Sequence, residues 1–234
     1  YGRIIRDKYF TVCGIVEEKD ADEVQKDIKE INTGIMAFKK ESLARNLKYI
    51  RPNNRKQEYY LTDIIAVLAK KDYLVDAVKV EDPQESLGIN TRIELAKANS
   101  VMQKRINEKF MLDGVTIIDP ATTFINFGTK IGRDTVIYPF TVLERDVKIG
   151  KRCQVGPFAH LREAVQLKND VTAGNFIEMV RASIGAKTLV KHFSYIGDSS
   201  VGDNVNIGAG TVTANFDGKQ KQYTVIKEKV NIGS

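Results

Sequence analysis

The 234-residue chain has no tryptophan, two cysteines, two histidines and five prolines. Cys13 and Cys153 lie far apart in unlike segments, which excludes a disulfide framework and a cysteine-rich metal cluster. That usage points to a reducing compartment, the cytoplasm. No apolar run approaches the length of a membrane span, and the opening residues carry no signal-peptide pattern. The chain starts at Tyr1 without an initiator Met and stops at Ser234 inside a repeating pattern, so both ends are expected to be truncations. Against these absences, 42% hydrophobic and 28% charged residues describe a soluble globular chain. The net charge of +6 suits anionic ligands without specifying one. Lys and Arg are interleaved with Asp and Glu, as on a solvated surface and not as in a nucleic-acid-binding stripe.

Two halves show different periods. Residues 1–89 read as α/β. Short strands are expected at Tyr1–Ile5, Thr11–Val16, Ile31–Phe38 and Val75–Val80, with a helix over Tyr59–Lys70 whose Leu61, Ile64, Ile65 and Leu68 share a face. Residues 90–114 predict one long connecting helix. Leu95, Ala98, Met102, Ile106 and Phe110 recur along it at three or four, and Gly114 ends it.

From Val115 onward the period is six. Aliphatic residues stand at Ile125, Ile131, Ile137, Leu143, Ile149, Val155, Leu161 and Leu167, followed by Ala173 and Met179. Two places before each lies a smaller or branched residue, from Thr123 and Thr129 through Cys153 and Ala159 to Ile177. Neither a helix nor an ordinary strand recurs every six residues; a β-helix of short faces does. Glycines after the aliphatic slot (Gly132, Gly150, Gly156, Gly174) are expected to supply the positive φ of tight corners. The register slips by one at Ile184 and again at Val201, and Ala214–Tyr223 breaks it as a loop.

The coil carries GPFAHLR at Gly156–Arg162, GNFIEM at Gly174–Met179, KHFSYIGD at Lys191–Asp198 and NVNIGAGTVTANFDG at Asn204–Gly218. The first half carries YGRI at Tyr1, VEEKDA at Val16, INTGIM at Ile31, EYYLTDII at Glu58 and GINTR at Gly88. Together, over essentially the whole chain, these resemble the bacterial bifunctional N-acetylglucosamine-1-phosphate uridyltransferase / glucosamine-1-phosphate acetyltransferase family. The resemblance implies the C-terminal part of a nucleotidyltransferase domain (1–89), a linker helix (90–114) and a left-handed parallel β-helix of hexapeptide repeats (115–234). It also implies a homotrimer acting on sugar phosphates, UTP and its UDP-sugar product, and acetyl-CoA, with no nucleic-acid or membrane partner.

Residue roles follow from the same resemblance. Gly2, Glu17 and Asn32 match sugar-nucleotide contacts, and Asn90 matches a magnesium contact. A glycine admits close backbone approach, a carboxylate accepts from sugar hydroxyls, and an amide oxygen suits a hard cation. The family's glycine-rich phosphate loop and metal-binding aspartate have no counterpart here, so this chain alone is not expected to transfer uridylyl groups. His192 matches the catalytic base, whose imidazole titrates near enough to neutrality to relieve an attacking amine of its proton. Arg162, Tyr195 and Asn206 match sugar-phosphate contacts; Ala209, Asn215, Phe216 and Ser234 match the acetyl-CoA side. His160 is read as an outward-facing side chain with no role.

Two positions depart from the family. Val180 stands where relatives carry a lysine that meets the sugar phosphate, with Arg181 as the nearest substitute, and Phe216 stands where a tyrosine is usual. These departures keep an alternative open: a uridyltransferase whose β-helix is a structural trimerisation module.

Overall fold

The computed structural model describes residues 1–233, so Ser234 lies outside the described residues. The backbone divides into two compact units, Tyr1–Leu87 and Gly88 onward.

The first unit is built on an antiparallel pair, Arg3–Arg6 with Val12–Val16. Its apolar side packs against the helix Asp63–Ala69, which buries Ile64, Ile65 and Leu68 against Ile4, Val12 and Ile50. The spacing read from the sequence accounts for three of the four expected helix-face residues. Leu61 precedes the helix and is exposed. Two expected strands do not form. Ile31 makes a single bridge to Arg3, and no strand is assigned over Val75–Val80. Val75, Ala77 and Phe38 instead lie along the core cluster as irregular backbone. Alternating apolar residues will line a core in that way without a partner strand to pair with.

In the second unit the helix Arg92–Leu112 opens on a capping box, Thr91 with Glu94. It closes on a Schellman motif: the Gly114 amide donates to the Met111 carbonyl and the Val115 amide to that of Phe110, with Gly114 at φ 92°. Only its last turns dock. Ile106 and Phe110 pack on the coil, whereas Leu95 and Met102 are substantially exposed. Asn107, unremarked in the periodic pattern, is fully buried and its amide donates to the carbonyls of Pro120 and Thr123.

The rest is a parallel β-helix. Phe124 pairs with Val142, Val142 with His160 and Lys130 with Lys148, so each residue meets the one eighteen positions on. Both residues of the hexad point inward. Ile137, Leu143, Val155 and Leu161 are fully buried, as are Thr135, Thr141, Val147, Cys153 and Val165. Each large aliphatic contributes about 1.5–3 kcal/mol by leaving water. The inward threonines need partners and find them in backbone carbonyls, Thr123 at Asp119, Thr129 at Glu144 and Thr135 at Gly150. Thr141 is the exception, its hydroxyl unpaired beside Gly156. At the slips the coil shortens, and Thr172–Ile184 and Leu189–Val201 run as continuous strands paired seventeen apart.

The corners correct the expectation placed on glycine. Over the regular hexads the positive-φ corners fall on Asp134, Phe140, Asp146, Arg152, Phe158, Ala164, Asp170 and Phe176, at the same period of six. Among the four glycines named, only Gly156 has positive φ. The others yield to the next coil: a Cβ at Gly132 would lie 2.7 Å from the Gly150 backbone, and one at Gly174 only 2.1 Å from the Lys191 carbonyl oxygen. Close approach, not φ, selects them. At one corner Phe140, Phe158 and Phe176 stack outside the coil with centroids 4.9 and 5.0 Å apart.

Candidate functional site

In the first unit, three of the expected residues converge. The Asn32 backbone N–H donates to the Gly2 carbonyl at 2.8 Å. Glu17 lies over Gly2, where a Cβ would meet Ile15 Cγ2 at 2.9 Å and the Glu17 carboxylate at 3.3 Å. Glu17 accepts from the Thr62 hydroxyl at 3.1 Å. Glu17, Asn32, Phe38, Tyr59 and Thr62 line one hollow of about 570 Å³. Thr62 was missed; it stands in the quoted EYYLTDII motif, but only the fold carries it to Glu17. Neighbouring Asp63 titrates above the ordinary carboxylate range, first because it is buried and then because Glu17 and Asp20 face it.

Asn90 belongs to the second unit, where its backbone N–H donates to the Glu94 carboxylate at 2.7 Å. Among the described residues there is no group of three or more His, Cys, Asp or Glu able to hold a metal ion. A lone neutral amide does not make a magnesium site, and the residues present do not fit that ion.

On the coil, His192 sits exposed on Leu189–Val201, in register with Asn175 one coil earlier. The two share a hollow of about 430 Å³ with Lys191, Tyr138, Gly156 and Gly174. The Gly210 amide donates to the Phe193 carbonyl, which brings exposed Ala209 level with His192 on the following coil. Asn206, also exposed, donates to Asn231 at 2.9 Å. Arg162 is paired with Glu178, 3.1 Å away, a partner unmarked in the sequence reading. His160 is outward-facing, with its Nε2 2.8 Å from Glu144.

Tyr195 and Asn215 meet at 3.5 Å over Gly197, whose missing Cβ would lie 2.6 Å from the Tyr195 hydroxyl and 2.7 Å from the Asn215 amide. Phe216 lies exposed beyond them in the extruded loop, bridged to Lys221. Val180, in register with Gly197, is buried, with only 2% of its surface exposed. Arg181 is not a free cation: it grips Asp198 through two hydrogen bonds of 2.5 and 2.9 Å and reaches Glu163 at 3.0 Å. The bonds to Asp198 raise the Arg181 pKa and hold the Asp198 carboxyl below its usual range, where the Asn215 amide also holds it.

The bacterial transferase hexapeptide (six repeats) family matches residues 128–163. The bifunctional protein GlmU of Geobacillus sp. (strain WCH70) is 41% identical over all of this chain, and that of Thermosipho africanus (strain TCF52B) is 43% identical. The chain spans 58% of the length of each of these curated relatives. Among solved structures, the acetyltransferase domain of PglB from Neisseria gonorrhoeae FA1090, in complex with acetyl coenzyme A, superposes at TM-score 0.45 and 16% identity. That match covers 58% of this chain and 64% of the other.

Proposed function

Since the chain belongs to the family of the bifunctional protein GlmU, we propose that its coil transfers an acetyl group from acetyl-CoA to glucosamine 1-phosphate. The observation that carries this reading is the place of His192, exposed in a hollow with Asn175 and Lys191 and level with Ala209. The sugar amine attacks the thioester carbonyl, a C–N bond forms, and the C–S bond breaks to release coenzyme A as thiolate. His192 takes the proton the amine sheds and can pass it to the leaving sulfur, the work of a general base with a pKa near neutrality. Arg162, Tyr195 and Asn206 hold the sugar phosphate; Ala209, Asn215 and Phe216 line the acetyl-CoA side.

The first unit is read as the C-terminal part of the uridyltransferase domain. There Gly2, Glu17 and Asn32 hold the uridine nucleotide of N-acetylglucosamine, made from UTP and N-acetylglucosamine 1-phosphate for cell-wall precursors. The hollow that Glu17 and Asn32 line, with Gly2 bonded to Asn32 beside it, supports that reading. The coil is taken as left-handed and trimeric, with the acetyl site between neighbouring subunits. Sedimentation of the full-length protein as a monomer would overturn the trimer.

The test is acetyl transfer by the full-length protein. His192→Ala should reduce it by about 10²–10⁴-fold while uridylyl transfer is unchanged. Val180 and Arg181 favour a second reading, uridylyl transfer alone on a structural coil, because one is apolar and buried and the other is held by two carboxylates. Under the first reading the wild type transfers acetyl at a measurable rate that His192→Ala removes; Val180→Lys would bury an unpaired charge and is no rescue. Wild-type transfer that is undetectable decides for the second.

A further inference from the structure

The loop Ala214–Tyr223 leaves the coil at a point held by one carboxylate. Asp198 stands at a corner with φ 44°, directly after Gly197, its side chain only 13% exposed. Arg181, at the matching corner one coil earlier with φ 45°, approaches it with Nε and Nη2 together. Arg181 is itself braced by Glu163. The remaining approach to the Asp198 carboxylate is taken by the Asn215 amide, 2.5 Å from Oδ2. Lys221, on the returning arm of the loop, adds its charge to the field at Asp198. Asn215 is also where the loop closes on itself, since the Gln222 backbone N–H donates to the Asn215 backbone carbonyl at 2.8 Å. The same amide that meets Asp198 touches the Tyr195 hydroxyl over the bare Gly197. A chain of charge-assisted bonds therefore runs from Glu163 through Arg181 and Asp198 to the base of the loop.

We propose that Asp198, fixed by Arg181, is a positioning residue that clamps Asn215 and the loop Ala214–Tyr223 to the coil and so sets the acetyl-donor side of the site. The proposal rests on the acetyl-transfer reading for its functional half and on geometry alone for its structural half. Strands Thr172–Ile184 and Leu189–Val201 run in register through Arg181 and Asp198, so the two side chains meet across adjacent coils as Arg152 and Asp170 do at another corner. Asp198 touches no substrate in this scheme, so its effect is on binding and not on the proton transfer at His192.

Two readouts test it on the full-length protein. Trypsin cleaves after Lys219 and Lys221 inside the loop. Asp198→Asn should speed that cleavage by about tenfold or more, because a neutral amide holds Arg181 and Asn215 weakly. Asn215→Ala should do the same while leaving the Arg181–Asp198 pair in place, which guards against a variant that merely fails to fold. In the acetyl-transfer assay Asp198→Asn should raise the KM for acetyl-CoA about tenfold with kcat within about twofold, and leave the KM for the sugar phosphate unchanged. Arg181→Lys, which keeps a charge but not the fork, should fall between wild type and Asp198→Asn. Loop cleavage unchanged in both Asp198→Asn and Asn215→Ala overturns the clamp. A clamp that loosens the loop but alters kcat and not the acetyl-CoA KM overturns its positioning role. Absence of acetyl transfer in the wild type refutes the functional reading instead, and the trypsin arm still decides the clamp.

Discussion

In the coil ahead of the extruded loop, the residues above and below a position are those seventeen or eighteen places away in the chain, and the same six-residue phrase fills the interior level after level. In the first unit, Ile4, Val12, Ile50, Ile64, Ile65 and Leu68 come from four unlike segments and are each used once. The coil thus distributes its stability over many equivalent contacts, as repeat proteins do. The first unit concentrates its stability in a few side chains around a two-stranded sheet, an arrangement that needs helix packing to persist. The sites follow the same division. Glu17, Asn32 and Thr62 meet because a small core folds three motifs together, whereas His192, Asn175 and Ala209 meet because coils stack.

The largest expected effect breaks one region at a time. Ile149→Asp puts an unpaired charge into the closed coil, and Ile64→Asp does so in the small core; both parents are buried. Each should cost more than about 4 kcal/mol and unfold its own unit. Circular dichroism with domain-specific proteolysis reads the result, and survival of a folded coil in Ile149→Asp would disprove the inward register.

A smaller effect separates the two uses of glycine. Gly174→Ala, whose Cβ would press on the Lys191 carbonyl, should destabilise the coil by about 1–3 kcal/mol through overpacking. Gly128→Ala has open space but φ 89°, and should cost only about 1 kcal/mol. Equal melting temperatures for the two would remove the close-approach account.

Smaller still is the difference between two inward threonines. Thr135→Val leaves the Cys153 amide and the Gly150 carbonyl without their hydroxyl partner and should lose about 1 kcal/mol. Thr141→Val removes a hydroxyl that has no partner and should be neutral or gain about that much. Urea midpoints of the two variants moving in the same direction would contradict this.

The smallest effect is in pH, where the regions have opposite signs. Asp63 has a folded pKa above its unfolded value, so its contribution is full below the ordinary carboxylate range and is lost as pH rises through the folded pKa. Asp198 has a folded pKa below its unfolded value, so its contribution is full above the ordinary range and is lost as pH falls through the folded pKa. Melting followed from about pH 3 to pH 7 should show the first trend abolished by Asp63→Asn and the second by Asp198→Asn; profiles unaltered by these substitutions would refute the assignment.

Much of this was legible in the residues alone. The hexad determined the parallel coil, its inward positions and the looped-out segment, because every level repeats the same local demand for one large and one small apolar side chain. The motifs named Glu17 and Asn32 before the fold set them along one hollow, and Gly2 before it was bonded to Asn32. Gly114 marked the end of the connecting helix, whereas the capping box of Thr91 and Glu94 at its start was not singled out. What only the tertiary structure decided lies between coils or between segments. It made Gly174 a spacer and not a corner, buried Val180, gave Arg181 to Asp198 and Glu163, reduced the Ile31–Phe38 strand to one bridge at Ile31 and left Val75–Val80 as irregular backbone. The physical reason is range. A periodic core is specified by neighbours a few residues apart, but the partner of a charge, the space beside a glycine and the pairing of a strand depend on which distant segment the fold sets against it.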